Sequence, residues 1–288
     1  MLRVNLWFIP IIILLNAVTT PLKSFETNIP ILVPITGFLS LEGTSQRNGA
    51  LLALEKSPVS AKFEVTDTST SPERAVTAFE RAISRGNVSA VIAPMLGTQM
   101  LAMLPLAMEY KVPLVTMSGT ARITEMGNPW IFRFFPGDAV TKVAHARYAV
   151  EERNVKRPAI IYQTTAYGQS GHRHLVKTLN LLDIQPVYKE GIDTSVKDML
   201  PLINKVRRTT PDVLLLHLHS GPTALFIKQA RAVGFKVPII AGSAMHQPST
   251  AALLEPTELG GVCAESGSSP ISGGSLELEK FVADYRKR

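Results

Sequence analysis

Seven segments of the chain place small, hydroxylated or glycine residues directly behind a short apolar run. They are Thr36-Gly37, Asp67-Thr68, Pro94 to Thr98, Ser118-Gly119-Thr120, Thr164 to Gly168, His219-Ser220 and Gly242-Ser243. Glycine lets a backbone approach a ligand closely. Hydroxyls beside the free first-turn amides of a helix make a site for an anion, because those N–H groups lack partners and the helix dipole is positive there. Gly97-Thr98 and Ser118-Gly119-Thr120 are two such starts in one half of the chain. Each segment alone also reads as a plain cap or turn, and recurrence is what points to a ligand. Asp138 either caps a helix over Ala139–Glu151 or presents a carboxylate that suits a cationic group on a ligand.

Other residues carry weaker chemistry. His217 and His219, two apart on a strand, point to one face and would suit a metal, but no Asp, Glu or His set completes a coordination sphere. His172 and His174 fall in a helical segment and read as surface. Cys263, the only cysteine, closes an apolar run and reads as a buried, inert thiol, and alone it excludes an intramolecular disulfide. Dinucleotide, P-loop, zinc-protease and nucleophile-elbow motifs are absent. No cofactor is implied.

The elements that must hold these residues alternate. Candidate strands are Ile31–Ile35, Lys62–Thr66, Ala90–Ala93, Pro113–Thr116, Ala159–Tyr162, Pro186–Tyr188, Val213–His217, Pro238–Ala241 and Gly260–Ala264. Short, continuous apolar runs suit parallel strands covered on both faces. Between them lie amphipathic patterns. Ser71 and Pro72 open one helix and Gly86 ends it; Leu225, Phe226, Gln229 and Val233 form the stripe of another, stopped by Gly234. The alternation predicts an α/β protein with two parallel-sheet, Rossmann-like lobes and a cleft between them. Residues 25–136 with 265–288 form the first lobe and 137–264 the second. ESGSSPISGGS, from Glu265, reads as a connector.

Hydrophobic residues make up 45% of the 288 and charged ones 18%, which excludes a disordered chain, a collagen and a coiled coil. The net charge of +7 comes from scattered Lys and Arg without interleaved aromatics, so nucleic acid is not an expected partner. The N-terminus, MLRVNLWFIPIIILLNAVTT, joins Arg3 to an apolar stretch from Leu6 to Leu15. That is too short to span a bilayer and fits a cleavable export signal over residues 1–24, hence a periplasmic protein.

Taken in order, PITGFLSLEGTSQRNGALLALE, DTSTSPERAVTAFERAI, VSAVIAPMLGTQ, KVPLVTMSGT, IFRFFPGD, YQTTAYGQSG, PDVLLLHLHS, IKQARAVGFKVPIIAG, GGVCAESG and FVADYRKR resemble the leucine/isoleucine/valine-binding class of periplasmic substrate-binding proteins of ABC importers. The resemblance implies the type I periplasmic binding protein fold, no enzymatic activity, a small-molecule ligand (amino acid, aromatic acid or amide) and a membrane permease as partner. It implies a ligand carboxylate held at Gly97, Thr98, Ser118, Gly119 and Thr120, and an amino group held at Asp138. Tyr167 matches the tyrosine of a tyrosine–glycine turn in the second lobe.

Four positions depart from that pattern. Gly97 replaces a common serine, Glu42 an aromatic that stacks on the ligand, His219 a frequent tyrosine, and Ser243 a second acid for the ammonium. The family also continues beyond the FVADYRKR helix, so the resemblance implies a C-terminal part truncated at Arg288. Two alternatives share these observations: a sensor module on the same fold, and an α/β enzyme using His217 and His219.

Overall fold

The computed structural model describes residues 27–267 and 275–287. The expected export signal and most of the connector lie outside the described residues. Two five-stranded sheets, both wholly parallel, carry the fold.

The first half runs β1 (Thr27–Asn28), β2 (Ile31–Val33), α1 (Ser40–Lys56), β3 (Ala61–Lys62), β4 (Val65–Asp67), α2 (Pro72–Ser84), β5 (Val91–Ile92), α3 (Gly97–Tyr110), β6 (Leu114–Thr116), α4 (Arg122–Glu125) and β7 (Ile131–Arg133). The second runs α5 (Asp138–Arg147), a π-helical turn (Tyr148–Glu152), β8 (Pro158–Gln163), α6 (Ala166–Leu181), β9 (Tyr188–Ile192), α7 (Leu200–Arg208), β10 (Val213–His217), α8 (Ser220–Ala232), β11 (Ile239–Ala241), α9 (Ser243–His246), α10 (Pro248–Ala251) and β12 (Val262–Ala264). The described chain closes with α11 (Leu276–Lys287), which returns to α1 through the Lys56–Asp284 ion pair.

The sheets are ordered β4-β2-β5-β6-β7 and β9-β8-β10-β11-β12. Counted within each half, both read 2-1-3-4-5, so one topology occurs twice although the halves share no visible sequence. In such sheets the order reverses between the first and third strands, and the crevice at their carboxyl ends is where ligands bind.

Burial explains the continuous apolar runs. In the second lobe Ala159, Ile161, Leu214 and Leu216 belong to one buried cluster, with α7 and α8. Ile160, Val213 and Leu215 belong to another, with α5 and α6. Successive residues of one strand therefore feed opposite cores. In the first lobe Leu32, Val91 and Leu114 pack with Phe79 of α2 and Met100 and Met103 of α3. Each fully buried side chain of this size contributes about 1.5–3 kcal/mol.

Local signals act as expected at α2: Ser71 Oγ accepts from the Arg74 N–H at 3.2 Å, Pro72 is the first helical residue, and Gly86 follows at φ +80°. Several expectations need correction. Lys62–Thr66 is not one strand but β3 and β4, and Pro186–Tyr188 shifts to Tyr188–Ile192. Strand β7 was not anticipated. Asp138 is not a cap: Gly137 is, and the expected continuous α-helix turns π-helical at Tyr148. On α8, Val233 is exposed and the buried face is Thr223, Ala224, Phe226, Ile227 and Ala230. Cys263 is exposed rather than buried. His172 is half-buried and stacks on Tyr162 at 4.0 Å between ring centroids, where its helix lies over β8. Among the described residues no helix is long and apolar enough to cross a membrane.

Candidate functional site

The residues behind the strands of the two sheets meet across a closed interface. Hydrogen bonds cross it: Ser220 N–H donates to Glu42 Oε1 at 3.1 Å, Ala166 N–H to Thr98 Oγ1 at 3.2 Å, and Ala121 N–H to Ser170 Oγ at 3.0 Å. The first two donors are first-turn amides of α8 and α6. First-lobe oxygens thus take the vacant N–H groups that helix starts must present. Phe38 meets the His219 ring at 5.3 Å.

Asp138 lies at the centre. Its N–H donates to the Gly119 carbonyl at 2.7 Å, which ties α5 to the turn after β6. Its side chain is buried, and Oδ2 has no partner. A Cβ built on Gly119 would lie 3.2 Å from Asp138 Oδ1 and 3.3 Å from Tyr167 Cε2, so carboxylate, turn and phenol ring are in mutual contact. Arg133 Nη1 donates to the Thr120 carbonyl at 3.0 Å and fixes the far side of that turn. Gly97 has a steric reason: a Cβ there would fall 1.9 Å from Thr120 Oγ1. The threonine hydroxyl occupies the space a serine at 97 would need. Ser118 Oγ and Thr120 Oγ1 are both buried without partners. Native interiors leave few such atoms, and a cluster of them marks a place where something else supplies the bond.

Rings line the second-lobe side. Tyr167 packs on His217 at 3.9 Å and on His219 at 5.2 Å. Its hydroxyl lies 3.4 Å from Ser243 Oγ. His217 Nε2 donates to the Tyr167 carbonyl at 3.1 Å, and His219 Nε2 lies 3.0 Å from Thr165 Oγ1. All ten sequence candidates therefore fall around this interface: Gly97, Thr98, Ser118, Gly119, Thr120, Asp138 and Glu42 from the first half and its crossing, Tyr167, His219 and Ser243 from the second. Two surface grooves, of about 540 Å³ beside Lys62 and Arg85 and about 400 Å³ between Arg122 and Arg173, lie elsewhere.

Burial sets the protonation. It pushes Asp138 up to about 7, against the pull of Lys142 and the Ser170 hydroxyl and with a further push from Glu265. It drives His217 well below the usual imidazole value and His219 down to about 3, so both rings are neutral. Tyr167 is held well above its usual value by burial and by the acids Glu265 and Asp138, so it remains a hydroxyl.

Glu265 was not anticipated. It stands just past β12, in what reads as connector, yet pairs with Lys142 and sits 2.9 Å from His145 Nδ1 through Oε2. Oε1 also accepts from the Ser243 N–H at 3.3 Å. Burial alone would raise this acid, but Lys142 and His145 hold it well below the usual range. Among the described residues no group of three His, Cys, Asp or Glu could hold a metal ion.

A sequence model described as periplasmic binding protein matches residues 26–288. The chain belongs to that family. Its kind is the type I periplasmic binding protein of the leucine/isoleucine/valine-binding group, and this family and fold are those of substrate-binding proteins rather than enzymes. An amino acid binding protein of Pseudomonas aeruginosa is 25% identical over 229 residues, covering 77% of this chain and 60% of that one. This periplasmic binding protein spans 60%, 63% and 56% of the lengths of three curated relatives. A leucine binding protein of Thermotoga maritima shares the fold with a TM-score of 0.83 at 23% identity, covering 91% of this chain and 75% of that chain. A solute binding protein of an ABC transporter from R. palustris, in complex with 4-hydroxybenzoate, shares it with a TM-score of 0.76 at 20% identity, covering 91% and 73%.

Proposed function

We propose that this chain is the exported solute-binding protein of an ABC importer, capturing an amino acid or related carboxylate between its lobes and delivering it to a membrane permease. The observation that carries the reading is the set of buried, unpartnered atoms around one turn: Ser118 Oγ, Thr120 Oγ1 and Asp138 Oδ2. In this reading the two hydroxyls and the first-turn amides at Gly97 and Thr98 take the ligand carboxylate, and Asp138 takes its amino group. Tyr167, His219, Ser243 and Glu42 surround the rest. Residues 25–136 with 265–288 act as one lobe and 137–264 as the other, and they part to admit the ligand. The reading includes a cleaved signal over residues 1–24 and a periplasmic location. The relatives support it, since one is described as amino acid binding and the structural neighbours bind leucine or an aromatic acid.

A thermal-shift screen of amino acids, aromatic acids and amides tests it. A ligand at 100 times its Kd stabilises by about 2.7 kcal/mol, which raises Tm by roughly 5–10 °C in a chain of this size. At least one compound of these classes should do so. No shift with any of them at millimolar concentration overturns the proposal.

A further inference from the structure

The unpaired atoms of the cleft differ in kind. Glu42 Oε2 and Asp138 Oδ2 are buried carboxylate oxygens, which accept. His217 Nε2 faces the Tyr167 carbonyl, which can only accept, so that nitrogen carries the ring's proton. The ring is neutral, and its unpartnered Nδ1 is therefore a third acceptor. The nearest cations are already engaged, Lys142 by Glu265 and Arg133 by the Thr120 carbonyl.

The grip proposed above uses the two hydroxyls for a carboxylate and Asp138 for an ammonium. It leaves the acceptors Glu42 Oε2 and His217 Nδ1 without a partner. The Tyr167 ring runs from Gly119 toward Glu42, whose charge it feels, while His217 Nε2 stands 3.8 Å from Asp138 Oδ1. A hydrocarbon side chain would return no bond to the buried Glu42 Oε2, and a buried polar atom left without a hydrogen bond is unfavourable. Glu42 Oε1 is satisfied by the Ser220 N–H, so the carboxylate is already oriented and only its second oxygen is open.

Resting on the proposed reading, we infer that the cleft takes an amino acid whose side chain ends in N–H donors, such as a carboxamide, amine or guanidinium, and that Glu42 is the residue that selects it.

Calorimetry on the purified protein with L-arginine, L-glutamine and L-leucine tests this. The parent binds arginine or glutamine at least about 10-fold tighter than leucine, the scale of a hydrogen bond to a charged group. Glu42→Gln keeps an oxygen for the Ser220 N–H and turns the open acceptor into a donor. It loses roughly 10- to 150-fold for the preferred donor-bearing ligand, and so narrows or abolishes the preference over leucine. Leucine bound as tightly as the other two by the parent, or a Glu42→Gln variant unchanged for all three, overturns the inference and leaves the amino-acid reading intact. No binding of these three or of plain carboxylates removes that reading and the inference with it. If Glu42→Gln does not fold, the parent's ranking of the three ligands still decides.

Discussion

Asp138→Ala lowers the affinity for an amino-acid ligand by roughly 30-fold to several thousand-fold, the range for deleting one partner of a desolvated, hydrogen-bonded charge pair. The buried carboxylate has an unpartnered Oδ2, which carries the ammonium in the proposed reading. Thr120→Ala removes only a hydroxyl from the carboxylate end and costs about 10- to 150-fold. A plain carboxylate ligand loses less than an amino acid when Asp138 is removed. Titration calorimetry on the two variants measures both, and a pair that binds like the parent while folding normally refutes the grip. The same residue sets a pH dependence. Asp138 rises from 3.8 to about 7 in the fold, so its charged form fades as pH falls through 7 and ammonium binding weakens from pH 8 to pH 6. For stability without ligand the sign is opposite. The native state holds the proton that the unfolded state has lost, so stability falls as pH rises from about 4 through 7. Asp138→Asn escapes that loss. It should unfold at higher denaturant than the parent at pH 8, by up to about 4 kcal/mol, and like the parent at pH 4.

Glu265→Ala destabilises the fold by about 3–5 kcal/mol, because removing one partner of a buried ion pair strands the other. The Lys142 side chain is 0% exposed and its ion-pair partner is Glu265. The substitution also takes an acceptor from the Ser243 N–H and from His145. For a chain of this size Tm should drop by about 10 °C, and urea unfolding should give the free-energy change directly. A variant as stable as the parent would mean that water reaches Lys142 in solution.

The central strands were legible, while the edge strands β7 and β9 were missed or misplaced, for a physical reason. Val213–His217 has neighbours on both sides and is buried along its whole length, so its sequence is an unbroken apolar run with sharp ends. Among the described residues Ile131–Arg133 pairs with β6 alone, and its Phe132 is 46% exposed, so it carries no such run. Tyr188–Ile192 is the other lobe's edge and carries Lys189 and Glu190, which masked its length. The site divides similarly. Hydroxyls and glycines behind strands follow from topology, because parallel sheets send those residues to one end. Glu265 could not be read, since its partners Lys142 and His145 lie 123 and 120 residues away and its neighbours in sequence are those of a connector. The reason for Gly97 was equally hidden, because it depends on where the Thr120 hydroxyl lies.

The most direct measurement is a crystal structure of the protein with the amino acid that stabilises it most in the thermal screen. The account predicts density between the lobes, with the ligand carboxylate within hydrogen-bonding distance of Ser118 Oγ and Thr120 Oγ1 and the ammonium against Asp138. A ligand seated away from the turn at Gly119, or one whose ammonium is held by groups other than Asp138, contradicts it.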